Sequence, residues 1–209
     1  MRGSVRSASL TNYAEVARKA GLDPHRLLSE FGLPQGCLRE PELKIPIDAV
    51  RRLLEASAER SGVEAFGLMM AETRRLSSLG PLGLLVREQP TLRLGAEALA
   101  RYANRLNEAL FLTIEDAGDV VVLREELIVG GAGPVRQSTE LAIVWLSGYC
   151  RRSSGPAGNR GVCASLTMLR RTARCTSGCS DESSNSGTTS TASSVPAKTW
   201  TFPIRMPTR

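Results

Sequence analysis

Few side chains in this sequence have the type and spacing that chemistry requires. A catalytic imidazole needs a carboxylate and a nucleophile within reach. The single histidine, His25, has no motif around it that supplies them. It is expected on the outer side of a short helix that begins at Asp23. A thiolate metal site needs tightly spaced ligand pairs. Cys175 and Cys179 are four apart, but with Cys163 they have neither a histidine nor a second pair beside them. Gly130 to Gly133 lack the lysine and Ser/Thr of a phosphate loop and the GxGxxG of a dinucleotide turn, so they read as a connector. No enzyme class emerges, and no catalytic residue, metal or cofactor is expected.

One further segment has the outline of a functional unit. Tyr13 to Leu33 reads as two short helices joined by Gly21-Leu22-Asp23-Pro24, the shape of a helix-turn-helix in which Arg26 would meet a phosphate or base. A DNA-reading surface should be one-sidedly basic. This one mixes Arg18, Lys19 and Arg26 with Glu15, Asp23 and Glu30. It therefore reads as a structural helical hairpin, with a small stand-alone DNA-binding protein using this hairpin and the basic tail as the alternative.

The elements that would position such residues follow from capping and periodicity. Asn12 and Glu15 have capping-box spacing ahead of Ala14, Val16, Ala17 and Ala20. Asp23-Pro24 joins a side-chain cap to a ring whose missing N–H costs nothing at the first helical position. Pro46 opens a third helix, with Ile47, Val50, Leu54 and Ala58 on the inner stripe and Arg51, Arg52, Glu55 and Glu59 outside. Phe66, Leu68, Met69 and Met70 mark a fourth, mostly buried segment. Leu79-Gly80-Pro81-Leu82-Gly83 punctuates the chain. Leu92, Ala96, Leu99, Ala103, Leu106 and Leu110 then make one continuous helical face. On that helix Tyr102, Asn104, Arg105 and Asn107 are the polar residues that compete to face a pocket, while Arg101 and Arg105 read as solvated.

The period changes after Leu110. Leu110 to Ile114 and Val120 to Leu123 flank Glu115-Asp116-Ala117-Gly118-Asp119, a hairpin with a glycine-containing turn. Val135 to about Cys150 reads as a last helix. The fold class is therefore α+β: a helical N-terminal half, a β-hairpin and a further helix, followed by a disordered C-terminal tail. A lone hairpin is marginal in water and needs further strands. The tail as written offers none, which would leave the hairpin with an unpaired edge.

Charge divides the chain near Cys150. Residues 1–150 carry 18 Lys+Arg and 19 Asp+Glu, whereas residues 151–209 carry 9 and 2. The overall charge of +6 thus resides in the tail, and the folded part is nearly neutral, which argues against a nucleic-acid-binding body. No stretch is long enough to cross a bilayer, and Met1-Arg2-Gly3-Ser4 leads into no secretory signal. Cys37 and Cys150 are then expected as reduced thiols in a cytoplasmic protein. The organisation expected is a disordered N-terminus at 1–7, a globular body at 8–150 and a low-complexity basic tail at 151–209.

Several ordered motifs carry a family resemblance. They are Ala17-Arg18-Lys19-Ala20-Gly21-Leu22-Asp23-Pro24, Phe31-Gly32-Leu33-Pro34 and Ser78-Leu79-Gly80-Pro81-Leu82-Gly83. After these come Pro90-Thr91-Leu92, Leu99-Ala100-Arg101-Tyr102, the hairpin, and Arg136-Gln137-Ser138-Thr139-Glu140-Leu141-Ala142. With these the body resembles the N-terminal sensor and dimerisation domain of AraC-type bacterial transcription regulators, in the mixed helical branch without a cupin barrel. The resemblance implies a small-molecule effector, a homodimer, and DNA recognition through a C-terminal pair of helix-turn-helix motifs.

The resemblance also implies a continuation past the last helix through GPxW, F-x-H and VEFG, which the written tail lacks. Shifted by one base, and with suitable codons, Ser154 to Gly158 can read L-G-P-G-W and Ser184 to Lys198 can read V-E-F-G and onward. The expectation is therefore a sensor fragment without its DNA-binding domain. Its residues after about 150 would be an out-of-frame translation in which Cys163, Cys175 and Cys179 carry no chemistry.

Overall fold

The first strand pairs at once with a segment forty residues away. In the computed structural model, which describes residues 3–117, 120–128, 133–153 and 199–204, strand β1 (Ser4–Arg6) runs antiparallel to β2 (Lys44–Pro46). Val5 sits opposite Ile45, and both are buried. Residues 4–7 are thus ordered, where a disordered N-terminus was expected. The local sequence carries no turn that would announce so distant a partner.

Helix α1 (Tyr13–Lys19) does not start with the expected capping box. Asn12 takes a left-handed backbone (φ 64°) and its side chain caps nothing, while Glu15 pairs with Lys19 at 2.7 Å. Helix α2 (Pro24–Glu30) starts as its sequence dictates, with Asp23 Oδ1 accepting the His25 and Arg26 N–H groups. Helix α3 (Ile47–Ser61) follows Pro46 and buries Ile47, Val50, Leu54 and Ala58. Arg51 was expected outside but is only 5 % exposed. Its Nη1 donates to the Pro134 carbonyl at 3.0 Å and its Nε lies 3.4 Å from Asp48. Helical spacing cannot register an acceptor that distant in the chain.

Helix α4 (Phe66–Glu72) buries Phe66 and Met70. The glycine-punctuated stretch becomes a 3-10 turn over Leu76–Leu79 followed by α5 (Pro81–Arg87). Gly80 there takes φ +60°, and a Cβ on Gly83 would lie 2.3 Å from the Leu76 carbonyl oxygen. Helix α6 (Leu92–Leu106), capped by Thr91, ends earlier than its apolar spacing implied. Asn107 is extended, and Leu110 begins strand β3 (Leu110–Ala117). Strand β4 (Val120–Leu127) completes the hairpin, with Leu110 opposite Leu127 and Ile114 opposite Leu123.

The tail supplies a strand after all. Strand β5 (Thr199–Ile204) pairs antiparallel with β4 along its other edge, so the sheet order is β3-β4-β5. Main-chain donors and acceptors along a bare edge recruit any extended segment within reach. The expected unpaired edge of β4 is therefore covered. The expected disorder and shifted frame otherwise concern residues 154–198 and 205–209, outside the described residues, as are Cys163, Cys175 and Cys179.

Helix α7 (Arg136–Ser153) locks the two halves together. The Gln137 side chain accepts the Gly67 N–H at 2.7 Å and donates to the Glu64 carbonyl at 2.9 Å, while its own N–H donates to Glu55 at 2.8 Å. The backbones approach so closely that a Cβ on Gly67 would fall 2.2 Å from the Gln137 carbonyl oxygen. Two apolar clusters result. One gathers Leu53, Leu54, Phe66 and Met70 with Leu141; the other gathers Leu82, Leu99, Ala103, Leu112 and Leu123 with Leu146.

Within the sheet, Glu125 shares a face with Leu123 and Leu127 and stands opposite Leu112. It is 1 % exposed, and neither carboxyl oxygen has a hydrogen-bond partner. Burial pushes its pKa up to about 8, so the acid is neutral in the fold at pH 7.

Two outcomes are expected. Gly67→Ala gains at most about 1 kcal/mol of helix propensity. Overpacking against α7 costs roughly 1–3 kcal/mol, so net destabilisation should appear as a lower Tm in calorimetry. For Glu125, the folded state holds a proton that the unfolded chain releases near its ordinary value of 4.5. Its contribution is complete below that pH and is lost as pH rises toward 8, at up to about 1.4 kcal/mol per pH unit. Urea unfolding at pH 5.5 and 7.5 should show wild type losing stability with pH and Glu125→Gln losing less. Glu55, also raised by burial, adds the same sign to both chains.

Candidate functional site

The two apolar clusters do not close completely upon each other. Where they meet lies a cavity of about 140 Å³. Val50, Leu54 and Leu141 border it from the first cluster, and Leu99, Ala103 and Leu112 from the second. The turn before α5 contributes Ser78 and Leu79, and α7 contributes Ser138, Ala142 and Trp145. Every one of these elements is placed by a constraint already described. Gly80 and Gly83 let the 3-10 turn fold back over α5, and the Gln137–Gly67 junction holds α7 across the opening.

The polar groups in the wall are unequally occupied. Arg6 is engaged: Nε donates to Glu42 at 2.7 Å and Nη1 to the Leu79 carbonyl at 3.2 Å. Asn107 Oδ1 accepts the Ala109 N–H at 3.0 Å. Arg74 is different. Its Nη2 donates to the Ala8 and Ser9 carbonyls, but its Nε is enclosed with no partner. No carboxylate pairs with it among the described residues. Burial alone drags its pKa down to about 10, still leaving it charged at neutral pH. Ser9 also lines the cavity, and its Oγ is enclosed by protein and unpartnered.

A surface cleft of about 440 Å³ adjoins the cavity and shares Arg6, Leu79, Leu82 and Leu106 with it. Its rim carries Lys44 and Arg105 against Glu42.

The structure sorts the residues singled out from sequence. Of the four polar candidates on or just beyond α6, Asn107 borders the cavity, Tyr102 and Arg105 line the outer cleft, and Asn104 is exposed away from both. Arg101 is exposed. His25 is exposed, with Nδ1 2.7 Å from the Gln35 side chain. Helices α1 and α2 bury Tyr13, Val16, Leu27 and Leu28. On their outer side Lys19 is taken by Glu15, and Glu30 binds Arg60 at 2.8 Å, so the surface is charge-balanced. Among the described residues no three His, Cys, Asp or Glu side chains gather as a metal site. Among the described residues no helix is long and apolar enough to cross a membrane.

Sequence reasoning missed Arg74, Ser9 and Glu125. For Glu125 a signal exists: it falls on the same parity as Val121, Leu123 and Leu127. For Arg74 none does, since it lies just past the end of α4 with no periodic context.

Comparison with known proteins agrees with this architecture. The family model described as the arabinose-binding domain of AraC transcription regulators, N-terminal, matches residues 21–166. The HTH-type transcriptional regulator VirS of Mycobacterium tuberculosis, in strains H37Rv and CDC 1551, is 34% identical over 160 residues. That alignment covers 76% of this chain and 47% of the relative, so the chain spans about half the length of the curated relatives it matches. The matched residues include the Gly80–Gly83 turn, the cavity-lining stretch of α6 and the Gln137 junction. The chain therefore belongs to the AraC family of transcription regulators, by its N-terminal arabinose-binding domain.

Proposed function

We propose that the chain is the effector-sensing part of a cytoplasmic transcription regulator, and that a small molecule binds in the cavity between the two clusters. One observation carries this reading: a mostly apolar cavity is lined jointly by α3, α6, α7 and the sheet. Such a site reports binding to every element around it. Among the described residues its wall holds no His, Cys, Asp or Glu, which favours binding over turnover. Forgoing packing over about 140 Å³ costs roughly 3 kcal/mol. A ligand that restores those contacts recovers part of it and shifts the equilibrium between arrangements of α7 and the sheet.

DNA recognition is, in this reading, the task of a helix-turn-helix region of the kind named in the relatives, with the sensor controlling it. Dimerisation is the second role we assign to this domain. Helices α5 and α6 expose Leu84, Leu94 and Tyr102, side chains that a second copy would cover.

Cavities of similar volume lined by aliphatic side chains accept benzene, which makes benzene a suitable probe. It should raise the Tm of the wild-type chain, and Ala103→Leu, which fills the cavity, should keep the fold and lose the shift. Absence of any shift in wild type would remove the cavity as the effector site. Sedimentation velocity across a dilution series should show a dimer dissociating to monomer; a monomer at every concentration would remove the second role.

A further inference from the structure

We propose that the outer cleft is the mouth through which a ligand reaches the cavity, and that Arg6 is the latch on a moving wall of that passage. This rests on the cavity reading and adds a route to it. The cleft and the cavity have Arg6, Leu79, Leu82 and Leu106 in common, so these four residues form the partition between the two spaces. They come from two bodies. Leu79 and Leu82 lie on the 3-10 turn and the start of α5, whereas Leu106 and Arg6 lie on α6 and β1. A ligand passes where the two bodies part.

The first body is the looser one. None of the four residues of the turn Leu76–Leu79 is buried, although Ala71 before it and Leu82 after it are. Segments with few buried apolar contacts are those that open at low cost. The second body is held firmly. Strand β1 is paired with β2, and Leu99 and Ala103 fix α6 in its apolar cluster.

Arg6 crosses from one body to the other. From β1 its Nη1 donates to the Leu79 carbonyl at 3.2 Å, while Nε and Nη2 both hold Glu42, Nε at 2.7 Å. Glycine at position 80 makes room for this grip, since a Cβ there would lie 3.0 Å from Arg6 Nη2. The Arg6 side chain is 8 % exposed and that of Glu42 69 %, so the pair is anchored inside and reaches solvent at its outer end. Breaking the bond to Leu79 frees the turn and leaves Arg6 paired with Glu42. Opening therefore strands no unpaired buried charge, the costly outcome for such a pair.

Fluorobenzene, close in size to benzene, is the probe. Fluorine exchange NMR on the full chain reads its entry and exit rates, and titration reads its Kd. Arg6→Met keeps an apolar stem and removes the grip on Leu79. Entry and exit should then both rise about tenfold, as for loss of one hydrogen bond from a charged donor, with Kd moving far less than either rate. Leu85 borders the cleft and not the cavity, so Leu85→Trp should crowd the mouth and slow both rates at the same Kd. An entry rate unchanged in either variant, or a change confined to the exit rate, would overturn the passage and leave the cavity reading standing. Failure of fluorobenzene to bind wild type would overturn both. Should Arg6→Met fail to fold, Leu85→Trp decides together with Glu42→Gln, which weakens the hold on Arg6 from the solvent side and should raise both rates.

Discussion

The whole arrangement depends on one close approach, the backbone of α7 laid against the first turn of α4. Only glycine at position 67 permits it, because any Cβ there would collide with the Gln137 carbonyl. Gln137 then uses its amide in both directions, accepting from Gly67 and donating to Glu64. Removing either side of such a junction costs more than the bonds are worth, since the groups left behind remain buried. Because α7 is fixed at this end, its following turns are carried across the cavity, and Ser138, Leu141, Ala142 and Trp145 become wall rather than surface.

A second tight approach does the same on the opposite side. Gly83 lets the 3-10 turn lie on α5, and Gly80 reverses the chain with a positive φ. Ser78, Leu79 and Leu82 reach the cavity as a result. The two motifs that carry the family resemblance most compactly, Ser78 to Gly83 and Arg136 to Ala142, are thus the two backbone contacts that shape the cavity. Their residue types follow from sterics and hydrogen-bond satisfaction, and the apolar ones between them from the cavity's lining.

The interior carries more uncompensated polarity than stability alone would select. Arg74 has an unpartnered nitrogen, and Glu125 has two unpartnered oxygens in the middle of an apolar sheet face. Unsatisfied buried groups persist where function holds them. Glu125 borders Leu112 and Leu127, both of which line the cavity, so its neutral state keeps that side of the sheet uncharged. The base of the site is apolar, its charged side chains are Arg6 and Arg74, and they come from other elements than the sheet.

The sequence alone determined those features that local physics controls. Asp23-Pro24 starts α2 because cap and ring act within one turn, Pro46 precedes α3, the 4-3-4-3 spacing makes α6 a helix, and the change of period marks the hairpin. The ordered motifs were enough for the family. Tertiary structure alone decided the pairing of Val5 with Ile45, the third strand from Thr199–Ile204, the burial of Arg51 and the enclosure of Arg74 Nε. Asn12 failed as a cap for a similar reason: tertiary context set its backbone to a left-handed turn. Periodicity reports which residues share a face, within a few positions along the chain. It is silent about which distant carbonyl, strand edge or cavity that face will meet, and those meetings make the site.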